Sequence, residues 1–453
     1  MKRKIYLVQP TYRDLDGRLL KAGPHVFTHS LAIPALSAAV PADWEKEHCL
    51  EYFEDVNLDT DAPVVGLSCL GYDLFRGREL AEEFRKRGKV VLFGGCASQL
   101  WKDLITPVAD TVVCGNPGRA TVARILGDAE RGELAPEYRC EVDLDYPFDY
   151  SVLARKRIAS RVSLLPAIAS AGCSNQCAFC CTASKFKGRY YPRSLDVVMA
   201  DLRTLRSVLR GVMRHFVFVD SNFYVDREHV VRLSERLIAE RLGLTWSAEC
   251  TIDVGDEPEI LAQLHRAGCR ALLIGIETLS QANLNRMQKP FLVERYREQI
   301  RRIQKAGIIV AGFFIFGFDG DNRATVDEFC DFVRELNIAV PFFNFLCPVP
   351  GTRFFDQIQR EGRLLASGED AYLRQNVIYG VPTHRCLFRP KEMSPREAEL
   401  AFVELRERLS SFPAILRRLV GLNPVMAAAV LLLNLAVRRE TQAVARAVRR
   451  EAR

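Results

Sequence analysis

Residues 164–180 read Leu-Leu-Pro-Ala-Ile-Ala-Ser-Ala-Gly-Cys-Ser-Asn-Gln-Cys-Ala-Phe-Cys, a short apolar run followed at once by three thiols in a CxxxCxxC frame. The run has the length and bounds of a buried strand, so the thiols fall in the loop at its carboxyl end. Three thiolates there can hold three irons of a four-iron, four-sulfur cluster and leave the fourth iron open. A cluster that only carried electrons would call for a fourth thiolate, so the open iron implies a bound small molecule. Structural zinc is the competing reading, and zinc usually takes four ligands from paired Cys or Cys/His groups. No second pair lies near: Cys250, Cys269, Cys330, Cys347 and Cys386 are isolated among the 14 cysteines. Cys181 directly follows Cys180 and would point elsewhere.

Downstream of this loop, short apolar runs alternate with amphipathic stretches, the pattern of repeated βα units around a parallel sheet. Strands are predicted over Leu164–Ala169, His215–Val219, Leu244–Glu249, Ala271–Ile276, Ile309–Gly317 and Val340–Cys347. Helices are predicted over Leu195–Val212, Arg227–Glu240, Glu257–Ala267, Glu294–Ala306 and Thr325–Leu336. Six strands make a partial barrel, and parallel barrels work at the carboxyl ends of their strands. Glu249, Gly275-Ile276-Glu277, Gly317-Phe318-Asp319-Gly320 and Pro348–Thr352 stand at those ends, although Gly, Pro and Asp are also ordinary turn residues.

Upstream, strands are predicted at Ile5–Val8, Cys49–Phe53, Val64–Ser68, Val90–Phe93 and Thr111–Cys114, with helices at Leu31–Val40, Phe75–Lys86 and Arg119–Ala129. This is the pattern of a doubly wound sheet, whose ligands bind beyond the strand carboxyl ends. No GxGxxG follows the first strand, which argues against a dinucleotide.

Cys173, Cys177 and Cys180, with Phe179 just before the last thiol, resemble the radical S-adenosylmethionine (SAM) enzymes, in which the amino and carboxylate groups of SAM chelate the open iron. The resemblance implies a 4Fe-4S cluster on the three cysteines and SAM contacts at Phe179, Asp220, Asn222, Glu249, Gly275, Glu277 and Gly317. The family often has Gly-Gly-Glu after the second strand; Asp220-Ser221-Asn222-Phe223 stands here, and Asp220 can still accept from an ammonium. A Rossmann-like domain feeding into such a barrel resembles the cobalamin-binding-domain (class B) radical SAM enzymes, over roughly residues 1–365. That implies cobalamin contacts at Tyr12, Ser68, Cys69, Leu70, Gly94, Gly95, Gly115 and Asn116. Two features depart from the pattern: DxHxxG is absent, and Gly115-Asn116-Pro117-Gly118 replaces the usual acidic turn.

The expected fold is α/β: a Rossmann-like doubly wound domain over 1–140, a linker over 141–160, a partial (βα)6 radical SAM barrel over 161–360 and a helical C-terminal region over 361–453. The activity implied is radical methylation of an unactivated carbon of a hydrophobic small molecule, such as a hopanoid or a pigment. Another radical SAM reaction and a non-enzymatic iron-sulfur protein remain as alternatives. An electron donor of flavodoxin or ferredoxin type would be a partner.

Net charge is +7, and Arg438–Arg453 holds six arginines against Glu440 and Glu451, so the rest of the chain is nearly balanced. This argues against a nucleic-acid-binding face. The first apolar run, broken by Gln9 and Pro10, is too short for a signal-peptide core, and a cytoplasmic location is expected. Residues 419–437 are mostly apolar but interrupted by Pro424, which suits an interfacial or docking helix whose basic tail could meet an anionic membrane surface on its inner face.

Overall fold

The computed structural model describes residues 2–13, 17–21, 30–155, 165–209, 214–365 and 385–450. The chain divides into two compact units. One comprises Met1–Ala171, Tyr191–Val217 and Leu242–Leu244; the other comprises Gly172–Tyr190, Phe218–Arg241 and Thr245–Arg453.

In the first unit β1 (Lys4–Gln9), β2 (Glu45–Leu50), β3 (Val64–Ser68), β4 (Val90–Gly94), β5 (Thr111–Cys114) and β6 (Glu137–Arg139) form one sheet in the order β2-β1-β3-β4-β5-β6. Every pairing is parallel. β2 lies on one side of β1 and β3 to β6 lie on the other, so the strand order reverses at β1, the place where such sheets bind ligands at their carboxyl edge. Two strands differ from expectation. β2 begins at Glu45, not Cys49, because its first half is a charged edge: Glu45 pairs with Lys4 at 3.0 Å and Lys2 at 3.5 Å, where no apolar run is required. β6 is an additional strand of three residues, two of them charged, and carries no apolar signature.

The segment expected as a linker is packed within this unit. Buried Arg193 donates to the carbonyls of Leu144 (2.7 Å) and Tyr146 (2.7 Å) and pairs with buried Asp201 at 2.9 Å. Lys156 and Arg157, read as part of that linker, lie outside the described residues.

The second sheet has the order β14-β13-β12-β11-β10-β7, with β7 at Leu165–Ala167, β10 at His215–Phe218, β11 at Thr245–Cys250, β12 at Cys269–Glu277, β13 at Ile309–Phe316 and β14 at Val340–Phe345. Each successive unit adds beside the last, as right-handed βα repeats do. A separate ribbon pairs β8 (Ser170–Gly172) with β9 (Tyr190–Pro192). Buried aromatic rings tie β13 and β14 to the helices outside: Phe314 stacks on Phe343 at 4.6 Å and meets Phe329 edge-on at 5.6 Å.

The C-terminal region is helical over Pro395–Leu409, Phe412–Leu419 and Pro424–Arg450. The apolar segment 419–437 is therefore two pieces. Pro424 does not shorten a helix but opens one of 27 residues, since a first-turn proline gives up no intrahelical bond. Among the described residues no helix is long and apolar enough to cross a membrane.

Candidate cofactor site

The thiol loop begins at Gly172, whose φ of +86° and whose Cα, with a side chain's Cβ 2.2 Å from the Arg189 carbonyl oxygen, admit only glycine. The loop is then clamped through its backbone. The Ala178 N–H donates to the Met287 carbonyl (2.8 Å), the Ala178 carbonyl accepts from the Phe354 N–H (2.9 Å), and Arg353 donates to the Gln176 carbonyl. The clamp thereby fixes the loop that carries the three thiols. Burial pushes Cys177 up to about 12, with Cys180 and Cys173 adding to the rise, and Cys173 is raised by burial and by Cys180. Thiols so placed need a strong positive partner before they ionise, which a metal cluster provides. Among the described residues no three His, Cys, Asp or Glu side chains converge as ligands of one ion would. A cluster differs in binding each thiolate to a separate iron, so a spaced set fits it.

Beside the thiols lies a group that the sequence reading missed. Lys289 is 6% exposed, and its ammonium donates to Glu277 Oε1 at 2.6 Å and to the Gly275 carbonyl at 2.8 Å. Its charge pulls against the rise of both Cys177 and Cys173. Glu277 reaches it through a backbone irregularity: the β12–β13 register shifts between Gly275 and Glu277, and Glu277 takes φ +65°. A bulge of this kind re-aims one side chain. Lys289 could have been suspected as a lone cation after the helix Gln281–Arg286, but nothing in its local sequence marks it as buried.

The other expected SAM residues fall into three settings. Asn222 is buried, its Oδ1 accepts from the N–H groups of Tyr224 (3.1 Å) and Thr251 (3.2 Å), and its side chain also hydrogen-bonds Cys173. Asp220 is fully buried near Glu249, whose carboxyl is raised to about 7 by burial and then by Asp220. Two carboxyls buried near each other suit an ammonium group, whose charge would offset their repulsion. Gly317, at φ +103°, donates its N–H to Asp321 Oδ2 at 2.8 Å, and a Cβ there would lie 2.8 Å from the Phe345 ring. Asp321 was not expected; it is buried, held at about 7 by burial, and also takes 3.1 Å from Asn283. Phe179 lies within the clamped loop, between Ala178 and Cys180.

At the carboxyl edge of the first unit's sheet, Gly95 and Gly115 are required by the chain itself. Both have positive φ, and Cβ atoms would lie 2.2 Å from the Cys69 carbonyl oxygen and 2.1 Å from that of Cys140. Gly94 is different: its nearest neighbour would be 3.5 Å away. Ser68 and Cys69 are buried; Leu70 donates its N–H to Asp73 Oδ1 at 2.8 Å, and Asn116 is half-buried with its Oδ1 lacking a partner. Tyr12 joins two tyrosines that the sequence reading passed over, Tyr72 at 4.9 Å and Tyr52 at 5.8 Å between ring centres. These follow β1, β3 and β2 respectively. Asp73 sits beside them, fully buried, raised to about 7 by burial, with Oδ2 accepting from no protein donor. Phenol hydroxyls and an unmet acceptor fit a ligand rich in amides and hydroxyls, as the side chains and nucleotide tail of cobalamin are.

Residues 168–333 match the family model for the Radical SAM superfamily. That stretch is a radical SAM domain, and the fold of the chain is the one seen in cobalamin-binding radical SAM structures, with a Rossmann-like domain before the barrel. The chain is similar to bacteriochlorophyllide d C-12(1)-methyltransferase of Chlorobaculum tepidum, 26% identical over 76% of this chain and 73% of that protein. It is also similar to hopanoid C-2 methylase of Rhodopseudomonas palustris, 25% identical over 84% of this chain and 74% of that one. Among solved structures, the radical SAM methyltransferase TsrM of Kitasatospora setae, with cobalamin and a [4Fe-4S] cluster bound, superposes with a TM-score of 0.70 over the full length of both chains at 16% identity.

Proposed function

We propose that this enzyme transfers a methyl group to an unactivated carbon of a hydrophobic small molecule, using a 4Fe-4S cluster, SAM and cobalamin. The observation that carries this reading is the extent of likeness to the two C-methyltransferases. It covers 76% and 84% of the chain and so runs far beyond the residues of the radical SAM match. Their names also supply the substrate class, a pigment and a polycyclic lipid.

When bound, the three cofactors supply hydrogen abstraction from carbon and a methyl donor. The chain's own part is to hold, orient and shield. Cys173, Cys177 and Cys180 would ligate three irons, and the backbone clamp at Ala178 fixes them against a rigid barrel edge. Lys289 supplies positive charge beside thiolates that burial disfavours, and it orients Glu277 through one short ion pair. Asp220 and Glu249 would receive the SAM ammonium, and Tyr12, Tyr52, Tyr72 and Asp73 would line the corrin's side of the Rossmann sheet. A flavodoxin or ferredoxin type protein would deliver the electron, and the enzyme would work in the cytoplasm.

Product counting tests the reading. Anaerobically reconstituted enzyme with cobalamin, SAM and a reductant should release both S-adenosylhomocysteine and 5′-deoxyadenosine when it methylates a lipid or pigment extract. Deoxyadenosine without homocysteine product would assign a different radical reaction, and neither product would leave only an iron-sulfur protein.

A further inference from the structure

The C-terminal helices carry an apolar surface that the barrel does not use. Of the eight exposed large hydrophobic side chains among the described residues, five fall within 412–432: Phe412 (55%), Leu416 (58%), Val420 (73%), Val425 (51%) and Leu432 (52%). They are not core residues left over from loose packing, because the opposite faces of the same two helices are fully engaged. Ile415 is buried, Val430 packs against Ala311, Ala339 and Val340, and Leu419, Leu433 and Val437 close around it. Asn434 then fixes the depth by donating to the Ala339 carbonyl at 2.9 Å. Phe412 and Leu416 are four residues apart on one helix, with Val420 just past its end, and Val425 and Leu432 are seven apart on the next, so each pair lies along one side of its helix.

Along this segment of the chain the charge has one sign. Residues 412–439 contain four arginines and neither Asp nor Glu. Arg417 is exposed among the apolar row, whereas Arg418 is buried on Asn434, and Arg438 donates to the Ser410 carbonyl and lies over the Phe412 ring. Farther along, Arg449 pairs with Glu407 at 2.7 Å. The distal arginines are thus partly committed to the protein, and the exposed apolar rows with Arg417 form the better-placed contact.

We propose that this two-helix corner, Phe412–Leu419 and the start of Pro424–Arg450, docks the enzyme on an anionic lipid surface without crossing it. Apolar side chains enter the acyl boundary while arginine meets headgroup phosphates, as interfacial helices do. The inference goes beyond the methylation reading and stands without it.

Flotation of the full-length, cluster-loaded enzyme with vesicles of mixed phosphatidylglycerol and phosphatidylcholine, and of phosphatidylcholine alone, tests it. The wild type should float with the mixed vesicles and much less with the neutral ones. Leu416→Asp combined with Val425→Asp should lower that partition about tenfold or more, with iron content and melting temperature kept. Leu292→Asp, at an exposed site elsewhere (49%), should change nothing. Arg417→Glu alone should weaken binding to the mixed vesicles, which keeps the test decisive if the double variant loses iron. Absence of wild-type flotation, undiminished flotation of Arg417→Glu and the double variant, or loss of a dimer in place of vesicle binding would overturn the proposal.

Discussion

Lys289 and Glu277 meet at 2.6 Å with side-chain exposures of 5% and 13%, so removing either one alone leaves a buried charge without its partner. Lys289→Met should cost about 3–5 kcal/mol of stability and reduce SAM cleavage, read by chemical denaturation and by deoxyadenosine release. Restoring an uncharged pair with Glu277→Leu in the same chain should recover much of the stability but not the cleavage, a split that a purely structural pair would not give. Ala in place of Cys173, Cys177 or Cys180 should abolish bound iron, while Cys181→Ala keeps it; iron and sulfide assays decide. Asp73 titrates in a different sense. Burial raises it from 3.8 to about 7, so between those values the folded state holds a proton that the unfolded state has released. Stability then falls as pH rises through that window, by up to about 1.4 kcal/mol per unit, and levels off above it. Asp73→Asn, which keeps the acceptor for Leu70 and Gly71, should flatten the melting temperature between pH 5 and 7 relative to wild type. At this scale the sequence showed the thiols because ligand spacing is local. It hid Lys289 and Asp73, because what distinguishes them is burial beside groups far away in the chain.

Among the elements, the strand-end glycines divide by their surroundings. Gly95 has φ +93° and no room beside Cys69, whereas a Cβ at Gly94 would make ordinary van der Waals contact with Val113 at 3.5 Å. Gly95→Ala should therefore lower the melting temperature by several degrees, and Gly94→Ala should leave it near wild type. Only the second is a clean probe of what binds at that edge. Gly275→Ala would place a Cβ 2.7 Å from Glu277 Oε1 and 3.0 Å from Lys289 Nζ, so it should retain iron but lose SAM cleavage. Most barrel strands and helices were legible because apolar periodicity and length report burial on a repeating βα scaffold. The helix Arg227–Glu240 has the predicted bounds. β2 and β6 were misplaced or missed because edge strands pair through backbone and surface charge, leaving no apolar trace.

For the whole molecule, the C-terminal helix is part of the second unit's fold. Val430 fills a cluster with Ala311, Ala339 and Val340, and Arg418 reaches Asn434 beneath it. Truncation after Leu419 should expose that cluster and give insoluble or iron-free protein, and Asn434→Leu, which removes the donor to the Ala339 carbonyl and leaves Arg418 with the Leu409 carbonyl alone, should cost about 1–3 kcal/mol in denaturant unfolding. The sequence by itself determined the two sheets, their order along the chain and the three thiols, since these follow from periodicity and from ligand spacing within one loop. Only the tertiary structure decided that Lys289 backs Glu277, that three tyrosines gather by Asp73, and which face of residues 412–432 remains exposed. Those outcomes depend on where distant segments pack, and a helix or loop carries no mark of the neighbour that will bury it.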